Sequence, residues 1–90
     1  MKIIAHLSII SDKPSNSYVY SDTSKEYECQ LIPMKGMDFE DPAWEKPKEI
    51  IHVTLNPTEK YYFIYLGEER YSDDEKCKTR LETYRYHGWK

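Results

Sequence analysis

Glu49-Ile50-Ile51-His52-Val53-Thr54-Leu55-Asn56-Pro57-Thr58-Glu59-Lys60-Tyr61-Tyr62-Phe63-Ile64-Tyr65-Leu66 is the densest apolar and aromatic run in the chain. Its β-branched and aromatic residues, interrupted at Asn56-Pro57, read as two strands joined by a proline-containing turn. In the second strand Tyr61, Phe63 and Tyr65 fall on one face and Tyr62, Ile64 and Leu66 on the other. Both faces are apolar, so this strand needs cover on both sides or leaves aromatic area exposed. The rest of the chain reads as material that pairs with this hairpin or covers it.

Working outward, residues 2–10 alternate with apolar side chains on both faces: Ile3, Ala5, Leu7 and Ile9 against Ile4 and Ile10. That is the pattern of a central strand. Ser11–Ser17 is a turn by composition, 18–20 a short strand and Ser21-Asp22-Thr23-Ser24 a second turn. Residues 25–32 alternate with Tyr27, Cys29 and Leu31 inward and Glu26, Glu28 and Gln30 outward, a half-solvated strand. Residues 33–48 fit neither period and hold three of the five prolines. Beyond the hairpin, Ser72-Asp73-Asp74-Glu75 reads as a capping box opening a helix over 73–86. Cys77, Leu81 and Tyr84 form its apolar stripe, and His87-Gly88 close it. The expected fold is α+β: an antiparallel sheet of about five strands with one C-terminal helix packed on one face.

Ninety residues make one small domain, 1–90. Ile, Leu, Val and Phe supply only 17 residues, but nine tyrosines add ring area that can substitute for aliphatic core. Net charge is −3, with the acidic excess in residues 1–45. That excludes a strongly basic nucleic-acid binder. Two cysteines, Cys29 and Cys77, make no disulfide framework or zinc spacing and read as thiols in a reducing cytoplasm. No apolar run reaches the ~18–20 residues that span a bilayer, and residues 1–10 are too interrupted for a signal segment. A soluble, cytoplasmic protein with no membrane association is expected.

Two tetrapeptides could carry chemistry: His6-Leu7-Ser8-Ile9 and His52-Val53-Thr54-Leu55. In a strand, His6 projects with Ser8 and His52 with Thr54. Two facing imidazoles could serve as general base and general acid on a phosphodiester, with the hydroxyls donating to its oxygens. The pair resembles the double H-x-[S/T]-x signature of the 2H phosphoesterases, which cleave RNA ends and cyclic nucleotides without metal. The resemblance implies catalytic roles for His6, Ser8, His52 and Thr54. The plain alternative is two strand histidines, each satisfied by a neighbour. Glycine-rich phosphate loops and nucleophile motifs are absent from the sequence. Asp38, Glu40 and Asp41 lack the further ligands of a calcium loop and read as solvated acids. No metal and no cofactor are expected.

The favoured functional reading is a binding surface rather than an enzyme. Aromatic residues dominate interface hot spots, and the irregular segment holds Met37, Phe39 and Trp44 among Asp38, Glu40, Asp41 and Glu45. Tyr61, Tyr62 and Tyr65 are a second cluster. An aromatic patch ringed by carboxylates suits a protein partner with a basic surface, such as the nucleic-acid channel of an enzyme. In size, acidity and aromatic excess the chain resembles the small inhibitors of phages and mobile elements, anti-CRISPR and immunity proteins among them. The alternative is that these rings simply fill the core. A third reading, a single-strand nucleic-acid module stacking bases on tyrosines, would draw its charge from Lys76, Lys78, Arg80, Arg85 and Lys90.

Overall fold

The computed structural model describes residues 1–13 and 16–90. Its elements are β1 (Lys2–Lys13), β2 (Asn16–Glu28), β3 (Asp38–Phe39), β4 (Lys48–Glu49), β5 (His52–Asn56), β6 (Tyr61–Tyr71) and α1 (Asp74–Tyr86). The architecture is α+β, as the periodicities predict. The sheet differs from expectation in two respects. It has four strands in the order β2-β1-β6-β5, with β3 and β4 forming a separate two-residue pair. It is also mixed: β1 runs parallel to β6, while β1–β2 and β5–β6 are antiparallel. The physical reason is that two hairpins lie side by side with their most apolar strands innermost. β1 and β6 are apolar on both faces and belong at the centre; β2 and β5 carry polar residues and tolerate an edge.

The expected turn at Ser21–Ser24 is instead the middle of β2. Ile9 pairs with Ser21 and Ile10 with Val19, so Tyr20 is the extra residue of a β-bulge. Polar side chains are at home there because they have partners. Thr23 is buried and donates to the Lys90 carbonyl at 3.1 Å, and Ser8 donates to Asp22 at 2.6 Å. The tip of the expected Ser11–Ser17 turn, residues 14 and 15, lies outside the described residues. β2 leaves the sheet at Glu28, so the expected strand 25–32 is cut short. Pro33 could not have continued the ladder.

The helix begins one residue later than the capping box implies. Asp73, extended at φ −154°, is the N-cap and accepts from the Lys76 amide at 2.9 Å, while Ser72 accepts from the Lys76 ammonium. Its buried stripe is Cys77, Leu81 and Tyr84, as the spacing predicts. This stripe packs on Ile3, Ala5, Leu7 and Ile9 of β1 and Ile64 and Leu66 of β6, with Ile50 and Trp89 closing the core. The strap that joins β2 to β5, residues 29–51, shares that same face of the sheet: Phe39 packs edge-on against Tyr27, and Trp44 against Trp89. The other face stays partly open, with His52 and Thr54 exposed and His6, Phe63 and Tyr65 half-buried.

One backbone position holds the β1–β6 register. Between His6↔Tyr65 and Ser8↔Glu68 the register shifts, so Leu66 and Gly67 together face Leu7. Gly67 takes φ +92°, and an added Cβ would lie 2.8 Å from Ile51 Cδ1. The positive φ and that contact both favour glycine. Gly67→Ala is therefore expected to cost about 1–3 kcal/mol. The check is a fall in the urea midpoint with no change in m value.

Candidate functional site

The strap holds most of the residues that the sequence marks for binding, and the structure divides them into an anchored inner half and an exposed outer half. Asp41 is the centre of the inner half. Its carboxylate, buried to 0% side-chain exposure, accepts from Lys25 Nζ at 2.8 Å, the Ala43 amide at 2.9 Å, Trp89 Nε1 at 3.1 Å and the Tyr27 hydroxyl. Burial alone would raise this carboxyl, but the four donors outweigh it and hold it at about 2. Burial and the same hydrogen bond push the Tyr27 phenol well up. Asp41 is thus no solvated acid but the tie between β2, the strap and the residues after α1.

A second carboxylate, Glu69, its side chain 11% exposed, lies on the same face. It accepts from Arg80 Nε at 2.9 Å, the Tyr71 hydroxyl at 2.6 Å and the Tyr84 hydroxyl, and pairs with Lys48 at 3.1 Å. Burial pushes it up; these donors and the Lys48 charge bring it down to about 2. Tyr84 in turn accepts from Trp44 Nε1 at 2.6 Å. Phe39 and Trp44 therefore point inward. Truncating either would be felt first as stability, through lost packing.

The outer half is apolar. Leu31 is 78% exposed, Ile32 64%, Met34 62% and Met37 45%. Asp38 and Glu49, paired beside Met37, are exposed, as are Glu40 and Glu45. The backbone beneath is fixed: Gly36 N donates to the Ile50 carbonyl at 2.8 Å, Ile50 N to Met37 at 2.9 Å and Met37 N to Met34 at 3.1 Å. Sequence reasoning singled out Met37 and the acids but placed Leu31 inward and passed over Ile32 and Met34. The signal was Pro33: it cannot take up a ladder, and the two large aliphatic residues before it lie beyond the end of β2 at Glu28.

The tyrosine cluster splits by strand parity. Tyr61 and Tyr65 stand on the open face, whereas Tyr62 packs against the core. Tyr65 lies in one row with His6 and His52 across β1, β6 and β5. The rings are nearly parallel, His6–Tyr65 centroids 5.7 Å apart and His52–Tyr65 6.4 Å. So the two histidines share a face, but a phenol ring stands between them where a phosphodiester would have to sit. Ser8 is committed to Asp22, and His6 Nε2 lies 3.6 Å from the same carboxylate. His6 Nδ1 is buried with no hydrogen-bond partner among the described residues. Thr54 lies in the next row, opposite Phe63.

Among the described residues no three His, Cys, Asp or Glu side chains gather as a metal site. Cys29 and Cys77 are both free. No helix among them is long and apolar enough to cross a membrane. Comparison of the chain with protein-family models, curated proteins and solved structures returned no match.

Proposed function

We propose that the protein is a small binding domain of the inhibitor kind, which grips a protein partner with the exposed tip of the strap. The observation that carries this reading is the pairing of four exposed apolar side chains, Leu31, Ile32, Met34 and Met37, with a backbone held by hydrogen bonds. Large contiguous apolar surface on a soluble domain marks a contact site. A tip already fixed loses little conformational entropy on binding. Methionine side chains adapt to an irregular partner surface. Asp38 and Glu49 border the tip beside Met37, so the partner presents an apolar pocket rimmed by Lys or Arg, as the entrance to a nucleic-acid channel does. On this reading the grip is the strap's outer half, with Phe39, Asp41 and Trp44 acting as its anchors.

The test is capture from host lysate by the parent and by the triple variant Leu31→Ser, Met34→Ser, Met37→Ser. All three positions are exposed, so thermal unfolding should be nearly unchanged. A protein retained by the parent and lost by the variant supports the reading. The loss should correspond to at least ~2 kcal/mol when the pair is titrated. Equal retention by both would remove the strap tip as the contact.

A further inference from the structure

β6 is longer than the edge strand beside it. β5 pairs with β6 only along Tyr61–Tyr65, while β6 continues to Tyr71 paired with β1. One more bond follows, from the Ile51 amide to the Tyr65 carbonyl at 2.9 Å, and then the chain turns away to bury Ile50. From Glu68 to Arg70 no strand among the described residues lies on the outer edge of β6. Alternation sets what that edge offers. Tyr65 directs its carbonyl outward, and the extra residue at the bulge keeps Glu68 and Arg70 in phase with it. Both therefore turn their backbone N–H and C=O to the open side. Such an edge is a template for an added strand.

A groove of about 530 Å³ opens beside it, with Glu69, Arg70 and Tyr71 in its wall. It holds four cations, Lys46, Lys48, Arg70 and Arg80, against two carboxylates, Glu45 and Glu69, in a chain of net charge −3. Arg70 is matched by Asp12 and Glu68, but Lys48 and Arg80 share the one Glu69 carboxylate. By its lining residues the groove holds two more cations than carboxylates, and Lys46 is the one of the four cations with no carboxylate partner among the described residues.

We propose that this edge is a docking site for an extended acidic segment of a partner protein. The segment adds to the sheet antiparallel to β6 and in line with β5. Main-chain bonds to Glu68 and Arg70 hold it, and alternate carboxylate side chains fall towards Lys46 in the groove. The site is separate from the strap tip and does not depend on it.

The experiment is an amide-resolved NMR titration of the intact chain with a seven-residue peptide of alternating Val and Glu. Its Val–Lys counterpart and two Val–Glu peptides N-methylated at odd or even amides serve as comparisons. The acidic peptide should perturb amides from Glu68 to Tyr71 and bind at least tenfold more tightly than the basic one. One methylated set should lose binding and the other keep it, because only one set faces β6. Lys46→Glu should weaken the acidic peptide about 5-fold with the fold unchanged. Perturbations centred on β2, equal binding by both methylated peptides, an unchanged Lys46→Glu affinity, or no response at about 1 mM peptide would each overturn the proposal.

Discussion

Asp41→Ala should lower the stability by about 3–5 kcal/mol, which is the usual result of stripping one partner from a buried charge pair. A domain of this size has only about 5–15 kcal/mol in total. The loss is large because Asp41 is the common acceptor of four donors from three parts of the chain. Without it, the Lys25 ammonium, only 21% exposed, stays next to apolar surface with no counter-charge, and the Trp89 indole N–H is buried unpaired. The midpoint of thermal unfolding should fall by about 15 °C or more. Lys25→Met should cost less, since the carboxylate keeps the Tyr27, Ala43 and Trp89 donors. In the double variant the two losses should not add, and the cycle should return a coupling of about 1–3 kcal/mol. A single-variant loss below about 1 kcal/mol would mean that Asp41 is solvated, and the strap would then be held by Phe39 and Trp44 without it. Asp41→Ala should also weaken partner capture without touching the strap tip, because the tip is presented by the segment that Asp41 ties down.

The place of Asp41 shows where the sequence stops being informative. Periodicity reports which face of an element is buried, and it located β1, the β5–β6 hairpin and the stripe Cys77, Leu81, Tyr84 correctly. It says nothing about which strand lies beside which. The parallel β1–β6 pairing follows from how two hairpins share one core, so the antiparallel expectation had no local signal to correct it. Ser21-Asp22-Thr23-Ser24 looked like a turn because its partners, Ser8 and the Lys90 carbonyl, are distant in sequence. Asp41 misled in the same way. A carboxylate reads as solvated unless its donors are visible, and here they come from up to 48 residues away. Of the strap, the exposure of Met37, Asp38, Glu40 and Glu45 was legible, and the burial of Asp41 was not. The inward turn of Phe39 and Trp44 was not, since an aromatic ring in an irregular segment carries no period that would give its direction.

Asp41 and Glu69 also give the chain an acid limit. Asp41 and Glu69 each sit at about 2, against ordinary values of 3.8 and 4.5. A carboxyl depressed in the folded state contributes stability that is present above its unfolded value and is lost as pH falls through the folded one. The window here runs from about pH 5 down to about pH 2, and each group should contribute on the order of 2 kcal/mol across it. Near pH 3 the unfolded chain binds up to two more protons at these sites than the folded one. From this pair alone the parent should lose stability with a slope approaching 2–3 kcal/mol per pH unit. Glu69→Gln removes one of the two titrations. It leaves Arg80 and Lys48 without their carboxylate, so the variant should be weaker at pH 7, yet its slope below pH 4 should be about half that of the parent. The phenols act at the other end. Tyr71, pushed up to about 12 by burial and its bond to Glu69, contributes stability that is lost as pH rises above about 10 towards that value. Urea midpoints for parent and Glu69→Gln at pH 7, 4 and 2.5 decide the matter. If the two proteins lose stability in parallel over that range, Glu69 is not the depressed group, and the network around Tyr84 and Arg80 holds no buried charge.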